Sequence, residues 1–265
     1  MPVRLLTKTW RDHWRGLLAW TAGLVAIAAV ELYVYPGIRD SSASIGQLME
    51  SYPEAFREFF RMEDYTSGVG FLNVELFSMM VPLVFIAVGA TWGAAATAQE
   101  EERGTADFLL ALPVGRGQVL ITKMAATILA LTGIALALML TLAVGTDLVD
   151  IDIPLGHIAA ACLASSLLGG LYAGIGFLLG ALTGRRGVAL GVAIALGLAA
   201  FLAYSLAPMV DAFDAVNPVN PFAWSVGSNP LAGGLAASDV LRLVGVSAVL
   251  YAGALLAFAR HDVRT

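Results

Sequence analysis

Residues 119–146 read VLITKMAATILALTGIALALMLTLAVGT, with a single charge, Lys123, near the start. A hydrocarbon layer about 30 Å thick needs roughly 20 apolar residues per crossing helix, so this stretch is long enough to span it. Five other stretches share the pattern, and together they predict spans at 17–36, 72–98, 119–146, 157–183, 187–208 and 240–259. The fold class that follows is all-α: a polytopic membrane protein with six transmembrane helices.

Composition agrees. The 265 residues are 58% hydrophobic and 13% charged, whereas a soluble domain carries roughly 25% charged residues. The mean hydropathy is +0.80. No basic stretch is dense enough to track phosphates, so nucleic acid is excluded as a partner. Cys162 is the single cysteine and lies inside a predicted span, which excludes internal disulfides and argues against cysteine-built metal clusters. The N-terminal basic and apolar run resembles a signal peptide around Ala26-Ile27-Ala28. The run continues past that point to spanning length, however, and the reading is an uncleaved span.

Charge fixes the orientation. Eleven of the fifteen cations fall on one side: Arg4, Lys8, Arg11, Arg15, Arg103, Arg116, Lys123, Arg185, Arg186, Arg260 and Arg264. The opposite gaps hold Arg39, Arg57, Arg61 and Arg242 among many carboxylates, including Asp40, Glu50, Glu54, Glu58, Asp64, Asp147, Asp150 and Asp152. By the positive-inside rule both termini are cytoplasmic. Arginine greatly outnumbers lysine (only Lys8 and Lys123), which with the Ala, Gly and Leu richness points to a GC-rich bacterial source and its cytoplasmic (inner) membrane.

Four segments lie outside the spans. In residues 2–16, Arg4, Lys8, Arg11 and Arg15 fall within about 60° on a helical wheel, while Val3, Leu6, Trp10, Trp14 and Leu17 group on a separate arc. That is an amphipathic helix at the cytoplasmic interface, either an elbow coupled to the first span or a simple anchor. Residues 37–71 carry an apolar face at helical spacing from Ser44 to Met62, broken at Pro53, and predict an external helical cap. Residues 209–238 combine Asn217, Asn220 and Asn229 with Pro218, Pro221 and Pro230 around apolar Phe222, Trp224, Leu231 and Leu235. They predict a broken or re-entrant segment packed against protein, where its backbone can be satisfied. The fourth span places Gly170, Gly174, Gly176 and Gly180 at small-xxx-small spacing, and Gly187 and Gly191 open the fifth in the same way. Close helix packing within the chain and a dimer interface both fit this stripe.

Catalysis finds little to use. His13, His157 and His261 lie at span ends or in the tails, and no base accompanies a membrane-embedded serine. Neither lysine follows a glycine, so no P-loop is present and the chain has no ATP-hydrolysing machinery of that kind. Glu31 and Glu75 lie at similar outer depth in the first two spans. They are candidates for a shared site for a cation or cationic solute on a substrate path, or each snorkels to the surface separately.

The cytoplasmic gap at 100–117 is the most specific stretch: Glu100-Glu101-Glu102-Arg103-Gly104-Thr105-Ala106-Asp107-Phe108-Leu109-Leu110-Ala111-Leu112-Pro113-Val114-Gly115-Arg116-Gly117. Thr105 suits a helix N-cap, Asp107 the first turn, and Pro113 the stop. The short helix would present Phe108, Leu109 and Leu112, an apolar knob fit for a groove on a soluble partner.

This stretch resembles the membrane (permease) subunits of ABC-2 type transporters, in which an acidic run, Glu-Arg-Gly-Thr, an apolar helix and Leu-Pro-Val lead to a basic residue and the third span. Six spans, the amphipathic N-terminus, the Asn-Pro-rich last outer loop and the tail Phe258-Ala259-Arg260-His261-Asp262 extend the resemblance over most of the chain. The long outer segment 37–71 looks like the variety found in actinobacterial drug or antibiotic exporters.

The resemblance implies a single transmembrane permease domain over residues 1–265 that binds no cofactor itself. ATP and Mg would be held by a separate ABC ATP-binding subunit, present in two copies beneath two permeases, as a homodimer or a heterodimer. It further implies that Glu101, Arg103, Gly104, Thr105, Phe108, Leu109, Leu112, Pro113 and Arg116 form the coupling loop seated on that subunit. A stand-alone secondary carrier or channel is the alternative, but it needs ionisable residues near the midplane, and the third, fifth and sixth spans have none there. A membrane scaffold without transport is the other.

Overall fold

The computed structural model describes residues 2–62, 64–102 and 116–260. Among them every regular element is helical. Six helices are long and apolar enough to cross a membrane, over Trp14–Asp40, Gly68–Thr97, Gly117–Leu148, Leu155–Thr183, Arg186–Leu206 and Ala237–Ala259.

The chain begins with α1 (Pro2–Asp40). Its backbone runs unbroken through residues 16 and 17, so the amphipathic segment and the first span are one continuous helix. At 1.5 Å per residue, α1 is roughly 58 Å long, well beyond the hydrocarbon layer. Leu24, Ala28, Leu32 and Tyr35 form its buried seam, while Leu18, Val30, Tyr33 and Val34 on other faces are exposed. One narrow apolar stripe packed on protein, with apolar residues elsewhere left for lipid, is the signature of a peripheral span.

The outer segment forms α2 (Ser42–Ser51) and α3 (Glu54–Phe60), separated at Tyr52-Pro53 as the proline requires. Only α3 reaches the bundle: Phe59 meets Phe201 edge to face with centroids 6.1 Å apart. No residue of α2 is buried, and its Leu48 is exposed. The second span is composite, with α4 (Gly68–Leu72), a π-helical turn (Asn73–Phe77) and α5 (Met80–Glu102). The third span lies in α6 (Arg116–Leu148), the fourth is α7 (Leu155–Thr183) and the fifth is α8 (Arg186–Leu206).

Short outer elements follow: α9 (Asp211–Asp214), a 3-10 turn (Asn217–Val219), α10 (Pro221–Val226) and α11 (Pro230–Gly233). They are held to the bundle by Asn220. Its side-chain oxygen accepts from the Phe222 N–H (3.0 Å), capping α10, and its Nδ2 donates to the Ala200 carbonyl (2.8 Å) on α8. Phe222 then buries completely between Phe201 and Tyr204, at centroid distances of 5.4 and 5.6 Å. A cap of this kind stabilises by about 1 kcal/mol. The last span is α12 (Ala237–Arg260).

The fourth span, α7, is the hub, in contact with α5, α6, α8, α10, α11 and α12. Small residues make this possible. A hub helix must let several neighbours approach at once, and in lipid their association depends on close packing rather than on expulsion of water.

Candidate functional site

Two regions hold the candidate residues: the start of the second span near Gly68, and the ends of α5 and α6 at Glu102 and Arg116.

At the start of the second span the chain folds back on itself. The Asp64 carbonyl accepts from the Ser67 N–H (3.1 Å), and the Ser67 hydroxyl oxygen accepts from the Gly70 N–H (2.9 Å), capping α4. Gly70 is required here, because any Cβ would overlap the Asp64 carbonyl. This reversal brings Tyr65 back against the span it precedes, edge to face with Phe71 (5.5 Å), which also lies against Tyr35 of α1 (5.6 Å). The Tyr65 hydroxyl donates to Glu75 Oε1 at 2.7 Å. Glu75 sits in the π-helical turn, flanked by buried Val74 and Leu76. Such turns insert a residue into the helix and recur at functional positions.

Glu31 lies on α1 one turn before Tyr35, the residue that meets Phe71. Both carboxylates are half-buried. Burial, then the hydrogen bond to Glu75, then the charges of Glu75 and Glu31 push the Tyr65 phenol far above its ordinary value. The phenol therefore stays protonated and remains a donor at any physiological pH. Phe71 thus links the α1 turn that follows Glu31 to the Tyr65–Glu75 hydrogen bond. Chemically this is an acceptor-rich cradle with no nucleophile–base pair.

At the other end of the second span, α5 ends at Glu102 and α6 begins at Arg116. Arg103, Gly104, Thr105, Phe108, Leu109, Leu112 and Pro113 lie outside the described residues. Glu101 falls in the last turn of α5 and Arg116 in the first turn of α6. A few residues into the bundle, Lys123 Nζ of α6 donates to the Ala96 carbonyl of α5 at 2.8 Å. That charge-assisted bond ties together the two helices from which the loop departs.

The glycines of the fourth span serve packing inside the chain. A Cβ on Gly176 would lie 2.8 Å from the Ala94 nitrogen, and one on Gly180 would overlap the Thr97 hydroxyl, both on α5. Gly174 faces α12 instead, where a Cβ would come within 2.9 Å of the Tyr251 ring. The Tyr251 hydroxyl donates to the Gly170 carbonyl (2.9 Å). The matching half of the seam, Gly89 and Gly93 of α5, has the same spacing: a Cβ on either would overlap the carbonyl of Gly169 or Ala173. Gly187 and Gly191 face open space within the chain.

No curated protein is significantly similar to the chain. Residues 4–263, nearly its full length, match the family described as ABC-2 family transporter protein. That family's members are membrane components of ABC transporters rather than ATPases, and they work with an ABC ATP-binding subunit. With six apolar helices long enough to span and a family match from end to end, the chain belongs to the ABC-2 transporter family as a multi-pass membrane permease.

Proposed function

We propose that the chain is the path-forming subunit of an ATP-driven exporter in a bacterial cytoplasmic membrane, with both termini in the cytoplasm. Two permeases, as identical copies, pair around a central path, and two ATP-binding subunits sit beneath them. The Thr105–Leu112 helix seats in a groove on each ATP-binding subunit and transmits its closure. Glu31 and Glu75 line the outer part of the path.

The observation that carries this reading is the build of the second span. Its cytoplasmic end leads into the loop, its outer end holds Glu75, and between them it is locked to the hub helix along a glycine seam. Lys123 fixes the third span to it at the level of Ala96. A push at the loop then moves a stiff unit rather than a single floppy helix, so displacement reaches the outer carboxylates. Close-packed interfaces transmit motion in this way because they are not continuously deformable.

Co-purification tests the partnership. Isolated in mild detergent from its native membrane, the chain should bring down a P-loop ATPase in about equal amount, as binding through a dedicated docking helix requires. Solute flux by the isolated chain in proteoliposomes, driven by an ion gradient and indifferent to ATP, would instead make it a secondary carrier.

A further inference from the structure

A cavity of about 260 Å³ opens on the outer side, walled by Arg61, Asp64, Asn73, Tyr204 and Asn229 among others. It lies between the start of the second span, the outer end of α8 and the α10–α11 connection, and the glutamate pair does not line it. Its size is near the low end for small-molecule sites, about 300–1,000 Å³.

Three features set this cavity apart from a packing gap. Arg61 carries its guanidinium 4.2 Å above the Tyr204 ring, and its Nε is buried with no hydrogen-bond partner. No carboxylate pairs with it among the described residues. The Asn229 side-chain oxygen, also on the cavity wall, is likewise buried and unpartnered. Both residues hold a left-handed backbone, φ 53° and 46°, two of the three non-glycine residues that do so among those described. Strained backbone of this kind persists where surrounding structure holds a side chain in a required place. Asp64 adds a carboxylate at the rim, oriented by a hydrogen bond from the Ser67 hydroxyl.

The walls therefore offer a planar cation that pairs with no described carboxylate, together with the Asp64 carboxylate and an unsatisfied amide oxygen. A guanidinium matches an oxyanion through paired N–H donors. A carboxylate and an amide oxygen match the three donors of a primary ammonium. We infer that this cavity binds a small zwitterion in which a primary ammonium and an oxyanion stand a few bonds apart, as in a free amino acid or in the phosphoethanolamine headgroup of an outer-leaflet lipid. Arg61 takes the oxyanion, Asp64 and Asn229 take the ammonium, and Tyr204 supports the guanidinium from behind. The site stands apart from the path and from ATP coupling, and the inference holds whether or not the exporter reading does.

The test is calorimetric titration of the full chain in a maltoside detergent, with glycerophosphoethanolamine and glycine as zwitterions. Glycerophosphate lacks the ammonium, and ethanolamine lacks the oxyanion. At least one zwitterion should bind about tenfold or more tighter than both controls, since each control leaves one charged wall unpaired. Glycerophosphoethanolamine binding above glycine identifies the lipid headgroup as the source, and the reverse identifies a free amino acid. In the first case, nanodiscs rich in phosphatidylethanolamine should raise the melting temperature over nanodiscs of phosphatidylglycerol.

Arg61→Gln should abolish zwitterion binding. Should that variant misfold, Asp64→Asn at the exposed rim keeps the size of the side chain and should erase the preference over glycerophosphate. Asn229→Gly removes the acceptor while tolerating the positive φ, and should weaken binding. No zwitterion binding to the unaltered chain, equal binding of glycerophosphate, or an undiminished preference in Asp64→Asn would each overturn the assignment.

Discussion

Gly89→Leu is expected to lower the melting temperature of the purified chain by about 5–10 °C, the shift that roughly 3 kcal/mol produces in a chain of this size. The reason is local and steric. At Gly89 the α5 backbone faces the α7 backbone, and even a methyl group would overlap the Gly169 carbonyl. The seam is tight on the other side too, where a Cβ on Gly169 would sit 2.7 Å from the Phe85 carbonyl oxygen. Neither neighbour is a flexible side-chain end that can swing away, so the helices must separate. Overpacking ordinarily costs about 1–3 kcal/mol, and separation along a whole seam puts this substitution at the upper end. Apolar side chains left facing lipid bring no compensating loss, because helix association in the bilayer rests on packing itself. Gly245→Leu is the control: nothing lies within 4 Å of a Cβ there, and the melting temperature should be unchanged. Equal melting of the two variants would mean that α5 and α7 do not meet as described.

Leu109→Asp should have the second large effect, on function rather than on folding. In the proposed coupling helix over Thr105–Leu112, Phe108, Leu109 and Leu112 would form the apolar face. A carboxylate at the centre of a dry docking surface is desolvated without a partner, and the loss at such central positions is about 2 kcal/mol or more. Transport by the reconstituted complex should fall at least about tenfold, since 1.4 kcal/mol already corresponds to that factor. Melting of the membrane bundle should not change, because the glycine seams are built by α5, α7 and α12. Normal transport with the partner still bound would remove Leu109 from the docking surface.

The spans were legible in the sequence because the cost of burying charge in hydrocarbon is large and each helix satisfies its own backbone. Apolar run length alone therefore locates them to within a few residues. The break at Pro53 was legible for an equally local reason, since a proline removes an N–H donor and crowds the preceding turn, although α1 accommodates Pro36. What each glycine touches was not legible. Gly176 and Gly174 share a helix and lie two residues apart, yet one faces α5 and the other α12. Spacing states that a close approach occurs and not which neighbour makes it. Gly89 and Gly93 carried the same signal and were readable.

Tyr65 was not. Its bond to Glu75 depends on a chain reversal at Gly70 and on a π-helical turn, neither of which has a hydropathy signature. Arg61 over Tyr204 spans more than a hundred residues and left no local trace. The join between the amphipathic N-terminus and the first span was hidden as well. Residues 2–16 and 17–36 differ in polarity, and polarity changes where a helix sits without interrupting its backbone.

The central claim is that the 103–115 loop receives work from an ATP-binding partner, and a photo-crosslinking amino acid placed at Leu109 in the native complex tests it most directly. The account predicts a covalent adduct between this chain and the ATP-binding subunit, with a yield that changes when ATP is added. Adducts confined to lipid or detergent, with the ATP-binding subunit still bound to the complex, would contradict it.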